Sequence, residues 1–268
     1  MNFVVTGAAR GIGRGLTRSL LTQGHRVFLI DSNQQELENT LKLASNWSSS
    51  DDSKFTSALV DLSDRAQLKA TIPKISAFCS GRLDVLINNA FATPHVWRNG
   101  AKMEDTDSDA VEAEWDTKIT VGLTAPFLLA RLCTQMLSPG GCIINIASTR
   151  AHQSEENHEG YSAAKAGLLG LTQSMAVSLG HRHKIRVNAI TPGWVSVDNE
   201  NRAADSANTK WEDGMSEADH HFHPAGRVGK VEDVAKAVRF LVESDFVTGQ
   251  EIVLDGGVGK KMIYPEED

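Results

Sequence analysis

"VVTGAARGIGRGL" (residues 4–16) decides how the rest of the chain is read. Two valines lead into glycines at 7, 11 and 13, and Ile12, Leu16 and Leu20 then recur at helical spacing. So tight a strand-to-helix turn needs residues without Cβ, and it aims backbone N–H groups and the positive end of the helix dipole at an anion. A pyrophosphate suits such a cradle. The spacing is not the G-x-G-x-x-G form, so the glycines by themselves fit an ordinary strand-to-helix turn equally well. The next strand resolves the reading: "RVFLID" ends in Asp31, twenty residues beyond Gly11, where an acid accepts both ribose hydroxyls of an adenosine. A carboxylate there repels a 2′-phosphate. Arg10 would attract one, but Ser32 offers no second cation, so NAD(H) is favoured over NADP(H).

Outward from this stretch, short β-branched runs alternate with amphipathic segments: "FVVT", "RVFLID", "KFTSALVD", "LDVLINNA", "CIINIAS", "IRVNAIT" and "EIVLDGG". The runs are apolar on both faces, as strands of a parallel sheet covered on both sides must be. The expected architecture is α/β: a doubly wound Rossmann-type parallel sheet of about seven strands with helices on both faces, forming a single NAD(P)-binding domain over residues 1–268. "ASNWSSSDDS" (44–53) reads as a surface loop before the third strand. The stretch 196–227 is polar and acidic with little apolar periodicity; it follows the sixth strand, at the edge where open sheets bind ligands, and is expected to be a mobile substrate lid.

The chain has 268 residues and a formal charge of −7, with no lysine- or arginine-rich run, which argues against nucleic acid or an anionic membrane as partner. Three cysteines are too few and scattered for a disulfide framework or a zinc site and fit a reducing compartment. No apolar run is long enough to span a bilayer, and no charged leader precedes the first strand, so a cytoplasmic protein acting on a small molecule is expected. The imidazoles of "HHFHP" (220–224) have no acid or cysteine at ligand spacing, and no metal is expected.

"HEGYSAAKAGLLGLT" sets Tyr161 and Lys165 on one face of a helix start, and Ser148 ends the strand "CIINIAS" thirteen residues before the tyrosine. A tyrosine and lysine at this spacing can be a solvated helix face; with the serine they converge beside the cofactor crevice. Here the sequence resembles the short-chain dehydrogenase/reductase family over nearly its whole length. The resemblance rests on "TGAARGIG" (6–13), Asp31, "DL" (61–62), "NNA" (88–90), Ser148, "YSAAK" (161–165), "RVNAITPG" (186–193), "PAGRVGKVEDVA" (224–235) and "VTGQEIVLDGG" (247–257). It implies that Gly7, Gly11, Ile12 and Gly13 cradle the pyrophosphate, that Asp31 holds the adenine ribose and that Asp61 and Leu62 flank the adenine; Arg10, within the glycine loop, is read as a further cofactor-binding residue. Asn89 and Ala90 would line the ribose, Pro192, Gly193 and Val195 the nicotinamide, and Lys165 would also grip the nicotinamide ribose. Tyr161 would be the general acid and base, Lys165 the ammonium that favours its phenolate, and Ser148 a hydrogen-bond donor to the substrate oxygen. The implied activity is interconversion of a secondary alcohol and a ketone by a homotetramer or homodimer. A dehydratase, epimerase or cyclase on the same scaffold, and a non-catalytic nicotinamide-binding protein, are the alternatives.

Three positions depart from the family pattern. Gly122 stands where asparagine is usual, Phe91 follows "NNA" in place of glycine, and Val197 replaces a threonine. "ITVGLTAPFLLARL" (119–132) reads as a helix burying Ile119, Leu123, Phe127 and Ala130, yet Pro126 has no N–H for the carbonyl of Gly122. In the family that carbonyl binds a water leading to the lysine, so the expectation is that the water survives and a second one fills the space of the missing amide. By position, His95, Trp97, Arg150, His152 and Trp194 are expected to face the substrate.

Overall fold

The computed structural model describes residues 1–106 and 109–262; positions 107–108 and 263–268 of the expected domain lie outside the described residues. The first half runs β1 (Asn2–Thr6), α1 (Gly11–Thr22), β2 (Arg26–Asp31), α2 (Gln34–Trp47), β3 (Phe55–Leu59), α3 (Arg65–Phe78) and β4 (Leu83–Asn88). The second half continues with α4 (Ala110–Ile119), α5 (Ala125–Cys133), β5 (Leu137–Ile146), α6 (Glu159–His183), β6 (Arg186–Pro192), α7 (Arg202–Ala207), α8 (Glu217–His221), α9 (Val231–Glu243) and β7 (Glu251–Leu254). All seven strands form one parallel sheet in the order β3-β2-β1-β4-β5-β6-β7, the expected doubly wound arrangement.

Both faces of each central strand are buried. Phe3 and Val5 of β1 and Val27 and Leu29 of β2 join one cluster with Leu16, Leu20, Val234 and Leu241 of α1 and α9. Val4, Phe28 and Ile30 point the other way, into a cluster with Leu68, Ile75, Leu129 and Met175 of α3, α5 and α6. The winding reverses between β1 and β4, which lie side by side, and the crevice at their carboxyl ends is where open α/β sheets take ligands.

Three local expectations are corrected. The helix α2 runs on through residues 44–47 instead of giving way to loop, because Ala44 is fully buried and Trp47 packs on the core beneath it. The segment 119–132 is not one regular helix: a π turn spans Thr120–Thr124, with the Ala125 N–H donating to the Thr120 carbonyl. Pro126 cannot supply the α-type bond to residue 122, and the wider turn rotates everything after it. The buried face is therefore Gly122, Ala125, Pro126, Leu129, Ala130 and Cys133, while Phe127 is exposed. Within 196–227, two short helices appear, α7 and α8, each started by a side-chain cap from Asn201 or Ser216.

Candidate active site

A cleft of about 1300 Å³ opens over the carboxyl ends of the strands. Gly7, Arg10, Gly11, Ile12, Asp31, Asp61, Leu62, Asn89 and Ala90 line one part of it; Ser148, Tyr161, Lys165, Pro192, Gly193 and Val195 line the other. Gly13 does not line it. A Cβ there would strike the Gly7 carbonyl oxygen, so Gly13 serves to bring α1 against the end of β1.

The glycine loop is held from beneath. Gly7 has φ +62°, and a Cβ on it would sit 2.8 Å from Ala90 Cα, so β1 and β4 leave no room for a side chain at their joint exit. The Asn89 side-chain amide donates to the Thr6 and Gly7 carbonyls at 3.0 and 3.1 Å, and the Thr6 hydroxyl accepts from the N–H groups of Asn89 and Ala90. Thr6 is a loop-fixing residue that the motif reading passed over. Asp31 accepts from the Ala9 and Asn33 N–H groups, both at 2.9 Å, which fixes its carboxylate at the cleft wall. Arg10 reaches instead to the Thr93 hydroxyl at 2.7 Å.

Ser148 follows β5 and its hydroxyl accepts from the Arg150 N–H at 3.2 Å. Tyr161 and Lys165 occupy the first two turns of α6, and both are buried. The phenol ring of Tyr161 is stacked on His95 at 4.3 Å and meets Phe91 edge-on at 4.7 Å. Burial raises the Tyr161 pKa, while hydrogen bonding with Ser148 and the Arg150 charge pull it back. Burial likewise lowers His95 to about 4 and Lys165 to about 7, and the Lys165 ammonium donates to the Ile146 carbonyl at 2.7 Å.

That lysine has a stability consequence. Its pKa is about 7 in the folded chain against the ordinary 10.5, so between these values the unfolded chain holds more protons and stability rises with pH. The cost of the buried ammonium is complete below pH 7. Lys165→Met removes it, so thermal melts should show the variant gaining on the parent by about 3 °C or more between pH 10 and pH 6. A difference that stays flat across that range would mean the ammonium is not buried at a cost.

The sequence profile of the enoyl-(acyl carrier protein) reductase family matches residues 7–259. An uncharacterized oxidoreductase of Thermotoga maritima is 35% identical over 98% of this chain and 97% of its own. A 3-oxoacyl-[acyl-carrier-protein] reductase of the same organism is 33% identical over 95% of this chain and 96% of its own. The solved apo SCOR enzyme from Clostridium thermocellum superposes with a TM-score of 0.78 at 34% identity, covering 98% of this chain and 94% of that one. The chain belongs to the short-chain dehydrogenase/reductase family. It is an oxidoreductase by that membership.

Against the family pattern, the space left by the missing side chain at position 122 holds no room for water. A Cβ on Gly122 would lie 2.5 Å from Phe91 Cε2 and 3.0 Å from Ala164 Cβ, so the phenyl ring fills the volume where a second water was expected. The two departures are in contact.

Of the five substrate candidates, His95 alone lines the cleft. Trp97 is buried behind it, its indole N–H donating to Glu159 at 2.8 Å and the Lys118 ammonium 4.8 Å from its ring centre. Arg150 pairs with Glu155, and His152 bonds Glu251 at 2.6 Å. Trp194 is exposed outside the lining, 5.8 Å from the His223 ring. Arg98, Thr117 and Val121 do line the cleft. Thr117 and Val121 are four apart on one helical run, a pairing that could have found them.

The start of the 196–227 segment is tied down. The Gly11 N–H donates to the Glu200 carbonyl at 2.8 Å, Arg18 pairs with the buried Glu200 at 2.6 Å, and Arg14 pairs with Asp205 at 2.6 Å. Further along, the Trp211 indole N–H donates to the Gly229 carbonyl at 3.2 Å with Lys230 over its ring. Cys79, Cys133 and Cys142 are all free and buried. Among the described residues no three or more metal-ligating side chains come together, and no helix is long and apolar enough to cross a membrane.

Proposed function

We propose that this chain is an NAD(H)-dependent oxidoreductase that interconverts a secondary alcohol and a ketone, with Tyr161 as general acid and base. The observation that carries the reading is the convergence in one cleft of the glycine loop and Asp31 with Ser148, Tyr161 and Lys165. The residues fit a dinucleotide: Gly7, with no room for a Cβ, draws the loop down onto the end of β4 beside the cleft, and the fixed Asp31 carboxylate suits two ribose hydroxyls. Arg10, engaged with Thr93, is turned away from pairing a 2′-phosphate, which favours NAD(H) over NADP(H). Asp61 and Leu62 would hold the adenine, Asn89 and Ala90 the ribose, and Pro192, Gly193 and Val195 the nicotinamide.

Bound there, the nicotinamide supplies the acceptor or donor of a hydride. The protein's part is the proton. In oxidation the substrate hydroxyl gives its proton to Tyr161 Oη as its C–H bond breaks, and in reduction the same proton returns. A buried phenol is a poor base, so in the reacting complex its ionised form needs the positive charges of Arg150 and Lys165. Ser148 donates to the substrate oxygen as charge gathers on it. Carbonyl chemistry is also what the Thermotoga 3-oxoacyl reductase is named for.

Residues 196–227 are the substrate lid in this reading, hinged beyond the ion pairs that pin Glu200 and Asp205 to α1. A homotetramer or homodimer is supported by apolar side chains left outside on Trp115, Phe127 and Val177, and sedimentation should give a species of two or four chains. A single 29.0 kDa species would contradict it. The cytoplasm is the fitting compartment for three free buried thiols.

The test is nicotinamide absorbance during incubation with NAD⁺ or NADP⁺ and a panel of sugars, polyols, hydroxy acids and cyclic alcohols, with the matching ketones run against the reduced cofactors. Turnover with NAD⁺ or NADH is expected. Tight cofactor binding with a silent panel would favour the non-redox readings.

A further inference from the structure

Phe91 and Gly122 stand 31 positions apart, in the loop after β4 and in the π turn before α5. The structure makes them one feature. The ring of Phe91 occupies the place where any side chain at 122 would begin, with Cε2 and Cδ2 lying 2.5 and 2.9 Å from a Cβ built there. The same ring presents its face to the Lys165 ammonium, 5.2 Å from its centre, and meets the Tyr161 phenol at 82° with centres 4.7 Å apart. His95 completes the enclosure, T-shaped to Phe91 at 5.7 Å and stacked on Tyr161. Aromatic pairs in these geometries and a cation over a ring face are both attractive, so the ring contributes direction as well as bulk.

We propose that Phe91 and Gly122 are an interlocked pair in which the phenyl ring, admitted because residue 122 has no side chain, is the positioning residue for Tyr161 and Lys165. The proposal rests on the reading of those two residues as the proton-transferring pair. It carries a constraint: residue 122 cannot gain a side chain unless residue 91 gives up its ring. Restoring asparagine at 122 alone should therefore harm the protein, while Phe91→Gly with Gly122→Asn should relieve the clash.

The test needs no substrate. The chain has two tyrosines, Tyr161 and Tyr264, the second outside the described residues. In a Tyr264→Phe background, the ultraviolet absorbance of tyrosinate reports Tyr161 alone. The groups facing that phenol are Lys165, His158, His95, Arg150 and Ser148; a change at residue 91 removes none of them, though Phe91 itself touches Lys165 and His95. Replacing Phe91 by Leu or Ala opens one side of the phenol to water and frees the ring, and the tyrosinate midpoint should fall by about one pH unit. Gly122→Asn alone should lower the melting temperature by about 5 °C, as overpacking does, and the double variant should recover most of it.

An unmoved tyrosinate midpoint in both residue 91 variants, or a Gly122→Asn single variant as stable as the parent, would overturn the interlock. The Leu variant fills more of the volume than the Ala variant and serves for the titration if the Ala variant does not fold. Failure of every alcohol and ketone to react would count against the proposed reaction and leave the titration and the stability cycle to decide the interlock separately.

Discussion

Tyr161→Phe should lower kcat/KM by about a thousandfold while the affinity for NAD⁺ stays within about threefold of the parent. Positioned proton transfer is worth about 10²–10⁴ in rate, and a thousandfold corresponds to about 4 kcal/mol. The substitution removes one oxygen and nothing else. The ring that His95 stacks on and Phe91 abuts is retained, and so are the Lys165 bond to the Ile146 carbonyl and the glycine cradle. Steady-state kinetics with the best substrate of the panel, together with fluorescence titration of NAD⁺, separate the two effects. A rate within tenfold of the parent would mean that another group moves the proton.

The second large effect is expected at Asp31. Its carboxylate is fixed by two backbone N–H groups at the wall of the cleft, so a 2′-phosphate would meet a charge that cannot swing away. Asp31→Asn retains an oxygen for those N–H groups and removes the charge. The ratio of NAD⁺ to NADP⁺ affinity should fall by about a hundredfold, or about 2.7 kcal/mol, as expected for releasing a like-charge contact. Asp31→Ala should shift the ratio in the same direction but weaken both cofactors, because the Ala9 and Asn33 N–H groups lose their acceptor. Binding titrations check this without turnover. An unchanged ratio in the Asn variant would remove Asp31 as the basis of cofactor choice.

The parts of the molecule legible in the sequence are those set by local chemistry. A glycine needed for φ near +60°, an acid closing a strand, and a tyrosine and lysine one helical turn apart each announce themselves within a few residues. What stayed hidden depends on contacts between distant segments. Phe91 and Gly122 read as two separate departures until their atoms compete for one volume. Trp97 looked like an aromatic wall because its loop enters the cleft, yet its indole turns back to Glu159 and the space under Gly160. Phe127 sits at helical spacing from Leu123, and one wide turn caused by a proline places it on the outside. The ion pairs of Arg14 and Arg18 with Glu200 and Asp205 span nearly two hundred residues, and charge on a helix face carries no sign of such a partner.

The central claim is that Tyr161 serves a redox reaction on a carbinol, and isotope transfer tests it most directly. The parent chain and the Tyr161→Phe variant would be incubated with NAD⁺ and an alcohol deuterated at its carbinol carbon, and the recovered nicotinamide analysed by mass spectrometry. The account predicts one deuterium in the reduced cofactor made by the parent and almost no reduced cofactor formed by the variant in the same time. Conversion of the alcohol with the cofactor unlabelled and still oxidised would contradict it.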